Sequence, residues 1–221
     1  MSSLNRFGAC PCEGHLDLDV CAFGYVKTTL NKQIAIDSRP MQFQRSEPNF
    51  EKLIPDFIKD YPDSIEEFDP GFPEPFGPVL QNTILVDSDH AHDLATRRSL
   101  SGMIGYVGST PVVFFSKIQG YIASSTYAAE LSALCTAIEE AQNLRYMLRC
   151  LECNIPADGS SLTRIFGDNL SVILNSQNPA ADLSKKHVAI SFHVVREAVA
   201  AGIIAPFCLK GKWNTSDLMT K

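Results

Sequence analysis

The sequence predicts an α/β protein in which helices flank a mixed five-stranded sheet and an N-terminal extension precedes that sheet. Two observations support this class. After residue 80, three segments rich in β-branched and aliphatic residues come first, and the apolar pattern then changes to a helical period. Further short apolar runs are separated by helical patterns, which is the order expected when additional strands are reached through helices.

The first three strands are expected to form an antiparallel meander. Thr83–Asp87 is the first, and Gly102–Val107 and Pro111–Phe115 follow it. The short connection Gly108-Ser109-Thr110 favours a hairpin between the second and third strands.

Helices then alternate with two more strands. A long amphipathic helix is predicted over Thr126–Cys153, with Ser124 or Ser125 as its N-cap. The remaining predicted elements are a strand at Arg164–Phe166, a brief helix near Leu170–Asn175, a helix marked by Val188, Phe192, Val195 and Val199 and closed by Gly202, a strand at Ile203–Leu209, and a last helix beginning in Ser216–Lys221.

The first 80 residues differ in composition from the rest. They carry 7 Lys/Arg and 13 Asp/Glu, whereas residues 81–221 carry 12 of each, so the net charge of −6 belongs to the N-terminal part. A helix is expected at Leu16–Leu30 and a short strand at Gln33–Ile36, and the prolines from Pro40 onward indicate an extended linker. We expect the linker acids to repel a polyanionic ligand and its phenylalanines to dock onto a neighbouring surface.

Composition and cysteine usage restrict the class of protein. Hydrophobic residues make up 45% of the chain, which excludes disorder throughout, and neither a bilayer-spanning run nor a secretory signal is found. We therefore expect a soluble, intracellular protein, in which the seven cysteines are thiols. A zinc site built from Cys10, Cys12, Cys150 and Cys153 is a less favoured alternative, because nothing places the two pairs side by side.

Four carboxylates occupy positions where a lone charge is costly to bury. Asp87 ends the first strand, Glu130 lies in the first turns of the long helix, Asp168 follows the fourth strand, and Asp217 opens the last helix. Converging carboxylates repel one another, and Mg²⁺ relieves that repulsion. An aspartate at a strand end is more often a cap or a solvated turn residue, and spacing alone does not show that the four converge.

A set of motifs resembles the ribonuclease H domain of copia-type LTR retrotransposons. They occur in the family's order and span residues 84–221. The motifs are Val86-Asp87-Ser88-Asp89-His90-Ala91, Thr96-Arg97-Arg98-Ser99-Leu100-Ser101-Gly102, Ser116-Lys117, Ser125-Thr126-Tyr127-Ala128-Ala129-Glu130, Gly167-Asp168-Asn169-Leu170-Ser171-Val172, Phe192–Val199 and Asp217-Leu218-Met219-Thr220-Lys221. A fainter similarity, at Phe23-Gly24-Tyr25-Val26-Lys27, is to the end of the preceding reverse transcriptase.

This resemblance implies both a domain plan and a reaction. Residues 1–39 would be a remnant of the reverse transcriptase, 40–80 a linker and 81–221 a ribonuclease H domain with the ribonuclease H-like sheet. Asp87, Glu130, Asp168 and Asp217 would bind two Mg²⁺ ions, for which Mn²⁺ can substitute. The reaction would be hydrolysis of the RNA strand of RNA–DNA hybrids, in a cytoplasmic retrotransposon particle and beside the polyprotein's own reverse transcriptase.

Further residues are predicted to bind an RNA–DNA hybrid, although a structural role is the alternative for several of them. Arg97 and Arg98 could bind phosphates or be solvated loop charges. Asn169 could contact a 2′-hydroxyl or cap a helix. The other candidates are Lys185 and Lys186, which precede a helix, and Lys212 and Trp213, of which the tryptophan could stack on a base or pack in the core.

Two functions of other classes stay open. The chain could be a non-catalytic module that positions nucleic acid for a polymerase, or another ribonuclease H-like nuclease of the integrase or transposase type. An intact set of four acids disfavours the first. The positions of Glu130 and Asp217 disfavour the second, because integrases and transposases typically use a different spacing with a late Glu.

Overall fold

The computed structural model describes residues 13–29, 31–42, 58–178 and 189–221 of the chain. Within those residues, besides a helical turn at residues 58–60, it contains four α-helices, five strands and two short 3₁₀ helices. In chain order they are α1 (Glu13–Thr29), β1 (Asn82–Asp89), β2 (Leu100–Val107), β3 (Thr110–Ile118), α2 (Thr126–Cys150), β4 (Thr163–Gly167), α3 (Leu170–Gln177), α4 (Ala189–Ala200), β5 (Ile204–Cys208), and the 3₁₀ helices Gly211–Trp213 and Thr215–Met219.

The strands form one mixed sheet in the order β3-β2-β1-β4-β5. β1 pairs with β2, and β2 with β3, in antiparallel fashion, whereas β4 runs parallel to both β1 and β5. The predicted mixed five-stranded sheet is therefore confirmed. β1 lies at its centre, and the apolar run Ile84–Val86 is fully buried, as expected for a strand with neighbours on both sides.

The main core lies between the sheet and α2. Ser125 caps α2, its Oγ accepting a hydrogen bond from the backbone N–H of Ala128 at 3.2 Å. Leu131, Leu134 and Ile138, which lie on the apolar face of this helix, are buried. The helix ends at Cys150 rather than at Cys153, because Glu152 adopts a positive φ of 64° that turns the chain.

Two further predictions about secondary structure are wrong. The expected α-helix in Ser216–Lys221 is instead a 3₁₀ helix, Thr215–Met219, which the Asn214 side chain caps by accepting from the Ser216 N–H at 3.3 Å. The expected strand at Gln33–Ile36 is not formed, and residues 31–42 contain no regular element.

The segment around Asp37 binds the hairpin between β2 and β3 instead. The backbone N–H of Ser109 donates to the Asp37 carbonyl at 2.9 Å, and the Asp37 N–H donates to Thr110 Oγ1 at 2.7 Å. Gly108 has a φ of +60°, and a Cβ there would lie 2.6 Å from the backbone of Ser38. This turn therefore requires glycine both for its conformation and for the close approach of residues 37–38.

Residues 58–80, here called the strap, pack along the C-terminal half of α2. The rings of Phe72 and Tyr146 meet edge to face at 4.6 Å, and the Leu80 N–H donates to the Asn154 carbonyl at 3.0 Å. The buried Arg145 guanidinium pairs with both carboxylate oxygens of Glu66. The boundaries proposed at residues 39 and 80 stay predictions, and contacts to the sheet domain extend across both.

No helix within the described residues is long and apolar enough to cross a bilayer.

Candidate metal centre

Three elements bring three carboxylates together at one edge of the sheet. Asp87 lies near the end of β1, Asp168 directly follows β4, and Glu130 lies near the start of α2. β1 and β4 are parallel neighbours, so their carboxyl ends meet, and α2 packs across β1. One ligand atom from each carboxylate lies within 4.8 Å of the other two. The pairing of β1 with β4 and the packing of α2 on β1 thus explain why these three acids converge.

Burial and mutual repulsion raise the pKa values of the three clustered carboxylates. Burial, followed by the charges of Asp168 and Asp87, raises the pKa of Glu130 to about 8. Burial also raises the pKa of Asp87 and of Asp168, and the charge of Asp87 raises the pKa of Asp168 further. A bound cation would therefore stabilise the ionised form of the cluster by offsetting this repulsion.

The fourth predicted acid, Asp217, lies beside this group rather than in it. Its carboxylate binds the ammonium of Lys221, with Oδ2 and Nζ 2.5 Å apart. The charge of Asp217 nevertheless reaches the site. Burial is the main cause of the raised pKa of Asp87, the hydrogen bond from Thr220 lowers that pKa, and the charge of Asp217 raises it further. The predicted assignment of four acids as ligands remains a prediction, and the structure brings three of them within mutual reach.

The chemistry of the donor set fits a hard divalent cation. Three carboxylate oxygens without a thiol or imidazole among them suit Mg²⁺ or Mn²⁺ rather than Zn²⁺. The alternative zinc site gains no support, since Cys150 and Cys153 are free thiols in the turn that ends α2, and Cys10 and Cys12 lie outside the described residues.

The segment after β5 supports the cluster through contacts that sequence reasoning did not identify. The Asn214 side chain donates to the Val86 carbonyl at 2.9 Å, which ties this segment to β1 beside Asp87. Thr220 donates a hydrogen bond through its hydroxyl to Asp87 Oδ2. Gly102, opposite Asp87 on β2, leaves the space that Thr220 and Met219 fill. A glycine inside a strand signals close approach of another backbone, and that signal was present in the sequence.

The two arginines predicted to bind phosphates lie on the loop between β1 and β2. Arg97 and Arg98 are both exposed. Asp93 organises the loop, because its carbonyl accepts from the Arg97 N–H at 2.6 Å and its N–H donates to the Arg98 carbonyl at 3.0 Å. Phosphate binding by this pair stays a prediction.

The other residues predicted to bind nucleic acid differ in their surroundings. Asn169 caps α3, with its Oδ1 accepting from the N–H groups of Ser171 and Val172 at 3.1 and 3.2 Å. Trp213 is 60% exposed, so it is not a core residue, and the Lys212 ammonium lies 5.1 Å from its ring centroid. Lys185 and Lys186 lie outside the described residues.

Comparison with known sequences gives relatives but no family model, since none matches the chain. The chain is 29% identical over 138 residues to the retrovirus-related Pol polyprotein from transposon RE1 of Arabidopsis thaliana. It is 27% identical over 135 residues to that from transposon RE2 of the same plant. Each match covers 61% of this chain, and the chain spans 9% of the length of these relatives.

Solved structures of similar shape include ribonucleases H. The N-terminal RNase H domain of a Mycobacterium tuberculosis protein superposes with a TM-score of 0.47 at 14% identity, covering 64% of this chain and 91% of that one. An RNase H1 isolated from compost, solved with an RNA/DNA hybrid, gives a TM-score of 0.47 at 11% identity, covering 61% and 89%. The expected resemblance to a retrotransposon Pol polyprotein is confirmed at the level of sequence similarity to the two plant relatives.

Proposed function

We propose that this chain is a metal-dependent ribonuclease H that hydrolyses the RNA strand of RNA–DNA hybrids. The observation that carries the proposal is the convergence of Asp87, Glu130 and Asp168 within 4.8 Å of one another. The sequence similarity to retrovirus-related Pol polyproteins from two plant transposons supports it.

The three carboxylates, with Asp217 beside them, would hold two Mg²⁺ ions, for which Mn²⁺ can substitute. Two such ions supply an activated water and stabilise the leaving oxygen in phosphodiester cleavage. Glu130 carries a proton at neutral pH in the metal-free protein, since its pKa is about 8, and it must release that proton to act as a ligand. The negative charges of Asp87 and Asp168 oppose the loss of this proton in the metal-free protein, and a bound cation would favour it.

The substrate and cellular setting follow from the same proposal. Arg97 and Arg98 would contact phosphates of the hybrid, and the reverse transcriptase of the same polyprotein would be the partner that delivers it. The place of action would be a cytoplasmic retrotransposon particle.

A substrate panel tests the reaction. The purified chain is incubated with end-labelled RNA–DNA hybrid, duplex DNA and duplex RNA, each with Mg²⁺, Mn²⁺ or EDTA. We expect the RNA strand of the hybrid alone to be cut, and only with a metal. Cutting of duplex DNA would favour an integrase-type nuclease. Tight hybrid binding without cleavage under any of these conditions would favour the non-catalytic module.

A further inference from the structure

We propose that Thr220 is a positioning residue for the metal centre, acting through its hydrogen bond to Asp87. The inference rests on the proposed function, because it concerns the same carboxylate cluster. Within the described residues, Asp87 has the one acidic side chain to which the Thr220 hydroxyl donates, so the effect of Thr220 would be on how that ligand is held rather than on the reaction itself.

The contact is buried and has one favoured acceptor. Thr220 is 1% exposed and Asp87 is 7% exposed, so water competes little for either group. Thr220 Oγ1 also lies 3.2 Å from the Asp217 carbonyl, but a hydroxyl has a single proton to donate. The Asp87 carboxylate is the nearer acceptor and carries charge, and a charge-assisted hydrogen bond is the stronger of the two.

The fold fixes Thr220 from two directions. The 3₁₀ helix before it is tied to β1 through Asn214, whose side chain donates to the Val86 carbonyl at 2.9 Å. Gly102 lies beneath, and its missing Cβ would otherwise stand 2.8 Å from Thr220 Cγ2. These contacts hold the Thr220 hydroxyl in place beside the Asp87 carboxylate.

Such a contact acts on metal affinity by orienting a ligand in advance. A carboxylate held by a hydrogen bond loses less rotational freedom when it binds an ion than a free one does. Loss of an outer hydrogen bond of this kind typically lowers metal affinity by about 10- to 100-fold. Asp217 and Lys221 need not move for this effect to appear.

The test measures Mn²⁺ affinity at a fixed pH by the electron paramagnetic resonance signal of free Mn²⁺, with melting followed in EDTA. Thr220→Val and Thr220→Ala remove the hydroxyl, and Thr220→Ser keeps it. Thr215→Val is the matched control. Thr215 opens the 3₁₀ helix that precedes Thr220, is exposed, and has its hydroxyl 3.3 Å from that of Tyr106 rather than near a carboxylate.

We expect Thr220→Val and Thr220→Ala to weaken Mn²⁺ binding by about 10-fold or more. Thr220→Ser should stay close to the parent, and Thr215→Val should match it. A merely structural residue would lower the melting temperature and leave Mn²⁺ affinity unchanged, and that result in either hydroxyl-free variant overturns the proposal. Equal weakening by Thr220→Ser also overturns it.

Asp168→Asn separates this inference from the proposed function. If a metal centre exists, this variant must lose Mn²⁺ affinity whatever Thr220 does. Loss in Asp168→Asn with parental affinity in Thr220→Val overturns the positioning role alone. Parental affinity in both variants overturns the metal centre together with it.

Discussion

Gly102 lies directly opposite Asp87 in the antiparallel pairing of β2 with β1, and the missing side chain at Gly102 is what admits the C-terminal segment to the carboxylate cluster. A Cβ at Gly102 would lie 2.7 Å from Met219 Cβ and 3.0 Å from the Ser216 carbonyl oxygen. Atoms do not approach so closely, so any side chain there must displace Ser216–Thr220. The geometry of the site thus depends on a residue that contributes no functional group.

Replacing Gly102 with alanine should therefore damage the site and the fold together. We expect Gly102→Ala to lower the unfolding free energy by about 1–3 kcal/mol through overpacking, and to weaken Mn²⁺ binding as Thr220 moves away from Asp87. Gly105→Ala is the control on the same strand, because its Cβ would meet Val113 Cβ at an ordinary 3.4 Å. Equal Mn²⁺ affinity in the two variants would contradict this account of Gly102.

Divalent metal should stabilise the folded chain. The cluster repels itself without a cation, and a ligand that binds only the native state raises stability by about 2.7 kcal/mol at a concentration 100 times its Kd. Scanning calorimetry with millimolar Mg²⁺ or Mn²⁺ should show a rise in melting temperature of several degrees, and Asp168→Asn should abolish it. A rise of the same size in Asp168→Asn would place the stabilising ion elsewhere.

The metal-free fold should lose stability as the pH rises through neutrality. Glu130 has a pKa of about 8 in the folded protein against an ordinary 4.5, so between these values the folded state holds a proton that the unfolded chain has released. The stabilising contribution is complete below about pH 4.5 and disappears as the pH approaches 8. Urea unfolding in EDTA from pH 5 to 8.5 should show this decline, and Glu130→Gln should make it shallower. Parallel curves for the two proteins would show that Glu130 does not titrate as described.

The strap should contribute to stability through one ion pair. Arg145 is 1% exposed, and besides Glu66 its guanidinium donates to the carbonyls of Ser161 at 2.5 Å and Pro156 at 2.8 Å. Removing Glu66 leaves a buried charge without its partner, which typically costs about 3–5 kcal/mol. We expect Glu66→Gln to destabilise the chain by about that amount, and the neighbouring exposed Glu67→Gln to have little effect. Equal stability of the two variants would show that the strap does not brace the domain.

The same ion pair revises the expectation about the acidic linker. Glu66 lies among the linker acids expected to repel a polyanion, but its carboxylate is paired with the buried Arg145 guanidinium. Arg145 lies 15 residues beyond Glu130 on α2, about 22 Å along the helix axis. That separation exceeds the Debye length at physiological salt, so the charge of Glu66 should have little effect on the carboxylate cluster. Repulsion of a hybrid by the linker acids stays a prediction.

Sequence pattern alone predicted the sheet and the elements on which three of the four candidate acids lie. The β-branched run before Asp87 and the helical period after Ser125 determine where Asp87 and Glu130 lie, and Asp168 follows a strand that must pair beside β1. These are consequences of local pattern and of strand order, which is why they could be predicted. Similarity to a family supplied the choice of these acids over the other carboxylates.

The contacts between distant segments were not predictable in the same way. Whether Thr220 meets Asp87 depends on the path of the chain after β5, which no periodicity encodes. The 3₁₀ form of Thr215–Met219 reflects the Asn214 cap and the packing on Gly102, and five residues give too little pattern to tell it from an α-helix. The ion pair between Glu66 and Arg145 joins residues 79 apart, and neither has a local signature of burial.

Anomalous diffraction from crystals of the chain grown or soaked with Mn²⁺ tests the central claim most directly. Data collected near the manganese absorption edge show where the ion lies, independently of any activity. The account predicts a strong anomalous peak in contact with carboxylate oxygens of Asp87, Glu130 and Asp168. An anomalous map without a peak at these three residues, at a Mn²⁺ concentration that supports hybrid cleavage, would contradict it.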